Sequence, residues 1–164
     1  MALPDSEAQR IAALRALNIL DTPPDHVFDE LVAYAAHALR MHGAGLTLVD
    51  AQRVWFKAAT TPLLQAGERA LSFCTHVVEA MQPLEIRDAR LDPRFLAHEL
   101  VAGDVGLCFY AGSPIILKNG HCIGTVFVVD TQPRKLNDEH RLILNSLAQI
   151  AAGEIERQYP PLGA

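Results

Sequence analysis

The sequence is sparing in the features that mark several classes of protein. Cysteine occurs three times in 164 residues, at positions 74, 108 and 122. An odd and widely spaced set does not suggest a disulfide framework, so the expected setting is the reducing cytoplasm. Lysine and arginine form no cluster and the formal net charge is -5, which disfavours a basic face for nucleic acid. No apolar run approaches the roughly 20 residues of a membrane span. The first residues, Met1-Ala2-Leu3-Pro4-Asp5-Ser6-Glu7, have neither the basic nor the apolar stretch of a leader. Neither nucleic acid nor membrane is an expected partner. Internal repeats and low-complexity segments are also missing. Half of the residues are hydrophobic and a fifth are charged, as in an ordinary globular protein. The expectation is one domain over 1–164, with a core of about 6–156 and a tail or linker at 157–164.

The best-specified stretch runs from Phe109 to Leu117, through Lys118-Asn119-Gly120-His121, and on from Cys122 to Asp130. Two apolar runs around Asn-Gly predict a β-hairpin with a two-residue turn. That register sets Leu117 opposite Cys122, Ile116 opposite Ile123, Pro114 opposite Thr125 and Tyr110 opposite Val129. One face then carries Tyr110, Gly112, Pro114, Ile116, Ile123, Thr125, Phe127 and Val129. The other carries Ala111, Ser113, Ile115, Leu117, Cys122, Gly124, Val126 and Val128. Neither face is polar, so something must cover both.

Around this hairpin the chain alternates between helical and extended patterns. A first helix opens at Ser6-Glu7 and ends near Leu17, before Pro23-Pro24. Asp25 is placed to cap a second, with Val27, Leu31, Tyr34, Ala35, Ala38 and Leu39 on one face; Gly43 and Gly45 are expected to stop it. Leu46–Asp50 and Val54–Ala59 read as paired strands. Ser72 can cap a helix through Met81, Leu84-Glu85-Ile86 reads as a short strand, and Asp88–Val105 as loop with short helical turns. A long final helix is capped near Asn137-Asp138. The order predicts an α+β architecture: a central antiparallel sheet with the terminal helices on one face. The segment Ser72–Gly106 is left to cover the other face, a setting suited to a ligand cavity.

Seven stretches occur in this order in many GAF domains. They are Ile19-Leu20-Asp21-Thr22-Pro23-Pro24, Leu48-Val49-Asp50, Val54-Trp55-Phe56-Lys57, Leu71-Ser72-Phe73-Cys74-Thr75-His76, Asp92-Pro93-Arg94-Phe95, Phe109–Ile115 and Gly124–Asp130. The chain resembles the GAF domains that precede bacterial histidine kinases and diguanylate cyclases. The resemblance spans roughly Ser6 to Ile155. It implies a GAF/PAS-like sheet, a helical face that often dimerises, and a cavity on the opposite face. It also implies a non-catalytic sensory role, with signals passed through the terminal helices of a homodimer. Relatives often carry arginine where this chain has Cys108, which removes a cation that could hold an anionic ligand.

Each constellation has a plain structural alternative. Cys74 and His76 lie two residues apart, so on a helix they diverge by roughly 200° and serve poorly as a dyad or as joint metal ligands. Relatives that attach a bilin carry Cys followed directly by His, whereas Thr75 intervenes here. Relatives that reduce free methionine sulfoxide surround their cysteines with a pattern not recognisable at Cys74, Cys108 or Cys122. Asp88, Asp92 and Asp104 beside Arg87, Arg90 and Arg94 read as local ion pairs or as polar ligand contacts. The expected function is small-molecule binding by Ser72, Phe73, Cys74, His76, Asp92, Arg94, Phe95, Cys108, Tyr110 and Phe127. The alternatives are a dimerisation module with a vestigial pocket or, less well supported, a cysteine-based reductase. No metal site is expected; the ligand and any cofactor are unnamed by the residues.

Overall fold

The sheet is antiparallel throughout, in the order β3-β2-β1-β6-β5-β4. Its strands are β1 Gly43–Val49, β2 Arg53–Ala59, β3 Gly67–Glu68, β4 Leu84–Ile86, β5 Phe109–Ile116 and β6 Cys122–Asp130. The helices are α1 Pro4–Arg15, α2 His26–Leu39, α3 Phe73–Ala80, α4 Glu99–Ala102 and α5 Asp138–Gln158. This computed structural model describes residues 4–61, 67–68 and 73–161. The two-residue strand β3 was not anticipated from the sequence.

The two faces are covered as expected. Ala111, Ile115, Leu117, Val126 and Val128 share one core with residues of α1, α2 and α5, while Tyr110, Phe127 and Val129 share another with Phe73, Val77, Val78 and Phe95. Asp25 caps α2 by accepting from the Val27 amide, and Asn137 caps α5 by accepting from the His140 amide. Each satisfies a donor that the first helical turn leaves unpaired. Helix α5 continues to Gln158, and the amide of Tyr159 bonds to the Ile155 carbonyl.

The hairpin turn differs from expectation. The Leu117 amide donates to the His121 carbonyl and the Gly120 amide to the Leu117 carbonyl, so the loop has three residues. A two-residue type I′ turn needs positive φ at both central positions. Only Gly120 has it, at φ +87, while the Asn119 side chain accepts from the His121 amide at 3.0 Å. The lost register is restored by a bulge: Ile115 faces Gly124 but Ile116 faces Cys122, leaving Ile123 as the extra residue on β6. Pro114–Thr125 and Tyr110–Val129 then pair as predicted. The bulge also exchanges two side chains between faces. Ile123 joins the helical core and Cys122 the opposite one.

Two further expectations are corrected. Gly43 and Gly45 lie inside β1; helix α2 stops earlier, at Arg40 in the left-handed conformation (φ 55), whose turn is closed by the Met41 amide on the Ala36 carbonyl. The buried face of α2 is Phe28, Leu31, Val32, Ala35 and Leu39, and Tyr34 is 54% exposed. The alanines at 33, 35, 36 and 38 fit either phase, so the pattern leaves the helix rotation open by one residue.

Two arginines tie α1 and α2 to the sheet. Arg10 is buried and its Nη1 donates to the carbonyls of Val49 and Cys122 at 2.8 and 3.3 Å, closing the ends of β1 and β6. Arg134 donates to the Arg40 carbonyl at 3.0 Å and to Asp130 Oδ2 at 2.8 Å, which closes the C-terminus of α2. A Cβ at Gly124 would overlap the Thr47 carbonyl of the neighbouring strand, whereas one at Gly153 on α5 meets nothing. Gly124→Ala is therefore expected to lower unfolding free energy by about 3 kcal/mol or more. Gly153→Ala should raise it by about 0.5–1 kcal/mol; urea titration of both variants checks the pair.

Candidate functional site

The site is built on one cross-strand row. Phe127 on β6 is paired with Gly45 of β1 on one side and with Gly112 of β5 on the other. A Cβ at Gly45 would lie 2.7 Å from the Phe127 ring, and one at Gly112 would lie 2.5 Å from the Tyr110 hydroxyl. Without those two Cβ atoms, both rings can lie down over the strands. Tyr110 and Phe127 stack with centroids 5.5 Å apart and planes at 21°.

The cover continues the stack. Phe73, the first residue of α3, lies on Tyr110 at 5.0 Å and 16°. Phe95 lies on Phe73 at 4.3 Å and 20°. Phe56 of β2 closes the far end, edge-on to Phe127 at 6.0 Å and 84°. The offset-stacked and edge-on arrangements suit the ring quadrupoles. Five aromatic rings thus run from β2, across the sheet, to the segment between β4 and β5.

Half of the predicted site residues meet in this layer. Phe73, Cys74, Phe95, Tyr110 and Phe127 are all buried in it. The Tyr110 hydroxyl donates to Cys74 Sγ at 3.4 Å. Burial, and then the adjoining thiol, push the Tyr110 phenol well above its ordinary value; the Thr125 hydroxyl offsets part of that. His76 stands at the rim, edge-on to Phe95 at 5.1 Å, so Cys74 and His76 do diverge. Asp92 and Arg94 pair with each other at 2.7 Å, the Arg94 guanidinium lies 5.1 Å over Phe95, and Arg94 holds the carboxyl below its usual range. Asp88 and Arg90 repeat this pairing at 2.8 Å. Both ion pairs are local, which accounts for two of the three aspartates of the segment.

Cys108 stands apart from the stack. Its thiol donates to the Gly106 carbonyl at 3.4 Å, and its backbone carbonyl accepts from the Ala89 amide at 2.6 Å. It thereby fastens the 3-10 turn Ala89–Leu91 to the start of β5. Ser72 falls outside the described residues. Sequence reasoning missed Phe56 and His98 as layer members; the His98 ring tilts against Phe73 at 5.1 Å, and its Nδ1 accepts from the Leu100 amide. Alternation along β2 places Phe56 once the register is known. Nothing local to His98 marks it.

An open cleft of about 610 Å³ lies beside this layer, along the edge strand β4. Glu85, Ile86, Arg87, Asp88, Leu91, Asp92 and Pro93 line it. Its carboxylates are engaged, Glu85 by Arg141 at 3.0 Å and Asp88 and Asp92 by their own arginines. Among the described residues, no three His, Cys, Asp or Glu side chains are grouped to hold a metal ion, and no helix is long and apolar enough to cross a membrane.

Comparison with known proteins gives consistent findings. The family model described as GAF domain matches residues 23–155. A cyclic di-GMP phosphodiesterase of Pseudomonas aeruginosa is 34% identical over 153 residues, 93% of this chain. The chain spans 26% of the length of that relative. Among solved structures, the GAF domain of a phosphoenolpyruvate-protein phosphotransferase from Coxiella burnetii superposes with a TM-score of 0.70. It shares 17% identity and the match covers 92% of this chain and 95% of that one. A type II free methionine-R-sulfoxide reductase from Thermoplasma acidophilum superposes with a TM-score of 0.68 at 13% identity, covering 82% and 93%. At those identities the structures establish the fold alone.

Two outcomes follow from the site. Phe127→Ala removes the ring that lies over Gly45 and stacks on Tyr110, and should cost about 3–5 kcal/mol. Tyr110→Phe keeps the stack and gives up the hydroxyl's bonds with Cys74 and Thr125, so it should cost about 1 kcal/mol. Chemical denaturation of both variants separates stacking from hydrogen bonding. The second outcome concerns pH. Burial pushes the Cys122 thiol up from 9.0 to about 11. Below pH 9 both folded and unfolded chains keep the proton. Above it only the unfolded chain ionises readily, so the stability present below pH 9 falls as the pH rises towards 11. The loss reaches about 3 kcal/mol. Cys122→Ala should flatten that part of the stability–pH curve.

Proposed function

The chain belongs to the GAF domain family, whose members are typically sensory or regulatory, and on that premise we propose that it is a regulatory module and not a catalyst. The observation that carries this reading is the composition of the buried layer. Its side chains are rings, a phenol and a thiol, packed for contact. Thiol chemistry needs an accessible, readily ionised sulfur. All three cysteines are buried, and the Cys122 thiol is held at about 11. That supports a non-catalytic role in spite of the fold shared with sulfoxide reductases.

In this reading a small molecule enters between the sheet and the Phe73–Gly106 cover. Its contacts are Phe73, Cys74, His76, Phe95, Tyr110 and Phe127, with Ser72, Asp92, Arg94 and Cys108 around them. The rings already fill the layer, so entry displaces Phe73 and the N-terminal turn of α3. A molecule can shift the domain only by its differential affinity for the closed and displaced states. The signal leaves through α1, α2 and α5 on the opposite face, in a homodimer. Exposed Tyr34, Leu142 and Ile150 on α2 and α5 supply apolar contact area there. The phosphodiesterase relative suggests cyclic di-GMP turnover as the output that such a module would control.

The filled stack favours one second reading, an interaction module that dimerises and takes no ligand. A thermal-shift screen of nucleotides, cyclic di-GMP among them, and of small metabolites separates the two. Sedimentation of the wild type and of Ile150→Glu accompanies it. We expect one compound class to raise the melting temperature by several degrees, and Ile150→Glu to dissociate the dimer. Dissociation without any stabilising compound would leave the second reading; a monomeric wild type would remove the dimer from both.

A further inference from the structure

One buried charge in this fold has no carboxylate partner among the described residues. Lys57 is 3% exposed. Its Nζ donates to Thr22 Oγ1 at 2.8 Å, to the Pro23 carbonyl at 2.8 Å and to the Tyr159 hydroxyl at 3.0 Å. An ammonium has three hydrogens, and each has one neutral oxygen. The rings of Phe28, Trp55 and Tyr159 stand around the same nitrogen at 5.9, 5.9 and 5.2 Å. Ring faces attract a cation, so they partly replace the counter-ion.

An apolar side chain could occupy this place without the desolvation that a buried ammonium suffers. What an apolar side chain could not do is join three separate parts of the chain at one atom. Thr22 and Pro23 belong to the linker between α1 and α2. Tyr159 is the residue after α5, and its own amide ends that helix on the Ile155 carbonyl. Lys57 belongs to β2 and is the extra residue of a bulge, since Leu46 faces Ala58 while Thr47 faces Phe56. The residue before it, Phe56, points to the other side of the sheet and stands edge-on to Phe127. Consecutive residues of one strand therefore hold the aromatic layer and the end of α5.

We propose that Lys57 is an ammonium latch that couples the two faces: it fastens the end of α5 and the α1–α2 linker to β2, so that movement of Phe56 in the aromatic layer is transmitted to Tyr159. The purpose of the latch rests on the regulatory reading above; the coupling itself needs no ligand.

Hydrogen exchange of the whole chain, read by mass spectrometry, tests it. Lys57→Met keeps the length of the side chain and removes the three bonds. It should speed exchange about tenfold in the last turn of α5 and in the linker together, the loss expected for charged hydrogen bonds, while β1 and β6 stay protected. Tyr159→Phe removes one acceptor and keeps the ring. It should speed exchange in the linker, to which the Tyr159 hydroxyl is joined through Lys57. Phe56→Leu should loosen the end of α5 in the wild type and add nothing in the Lys57→Met background. If Lys57→Met does not fold, Tyr159→Phe decides, together with whether Phe56→Leu alone loosens the end of α5. The proposal is overturned if Tyr159→Phe leaves the linker unchanged, or if Phe56→Leu acts equally with and without Lys57. No compound is used, so the latch can fail while the ligand screen succeeds, and the reverse.

Discussion

Phe127 stands between two glycines, and most of what is distinctive in this fold depends on that. A ring can lie flat on a sheet only where its cross-strand neighbours have no side chains. Gly45 and Gly112 provide that on both flanks, and Tyr110 uses the space over Gly112 from two residues away along the same strand. Two flat rings then offer a surface on which Phe73 can stack, and Phe73 in turn receives Phe95. A thin cover of one two-turn helix, two shorter helical turns and loops is thereby held to the sheet by ring contact.

The opposite face is held in a different way. There the helices α1, α2 and α5 pack on small and branched side chains such as Ala44, Ala111, Val126 and Val128. Their ends are fixed by cations set against carbonyl and hydroxyl oxygens. Arg10 closes the ends of β1 and β6, Arg134 closes the end of α2, and Lys57 gathers the linker and the end of α5. Stacked rings can slide at modest cost, whereas a cation with all its hydrogens engaged is costly to release. The structure thus joins a yielding layer to a firmly tied one through the six-stranded sheet. That division suits a regulatory domain, in which one face responds and the other reports.

Much of this was legible in the chain. The unbroken apolar character of both hairpin strands called for two covers, and the order of the remaining segments assigned the terminal helices to one of them. Asp25 and Asn137 announced their helices because short polar side chains before an apolar period satisfy the orphan amides. The candidate residues Phe73, Cys74, Phe95, Tyr110 and Phe127 came together because each lies on an element that topology brings to one face. Other features were hidden. Asn119-Gly120 fits two turns of different length, and the choice depends on whether Asn119 takes a positive φ, which its neighbours along the chain do not decide. The bulge at Ile123 followed from that choice, and with it the exchange of Ile123 and Cys122 between faces. Alanine-rich α2 left its rotation undetermined, because alanine tolerates either side of the boundary.

The sequence by itself determined the class of the fold, the pairing of the two hairpin strands with each other and the family, because hydrophobic period and turn chemistry act over a few residues at a time. It did not determine that Lys57 is buried. A lysine on a strand is expected to reach solvent, and only the convergence of Thr22, Pro23 and Tyr159 from opposite ends of the chain makes burial tolerable. Nor did it determine that the space beneath α3 is filled. Which rings touch depends on the missing side chains of Gly45 and Gly112, on strands far apart in sequence, and that is a property of tertiary packing alone.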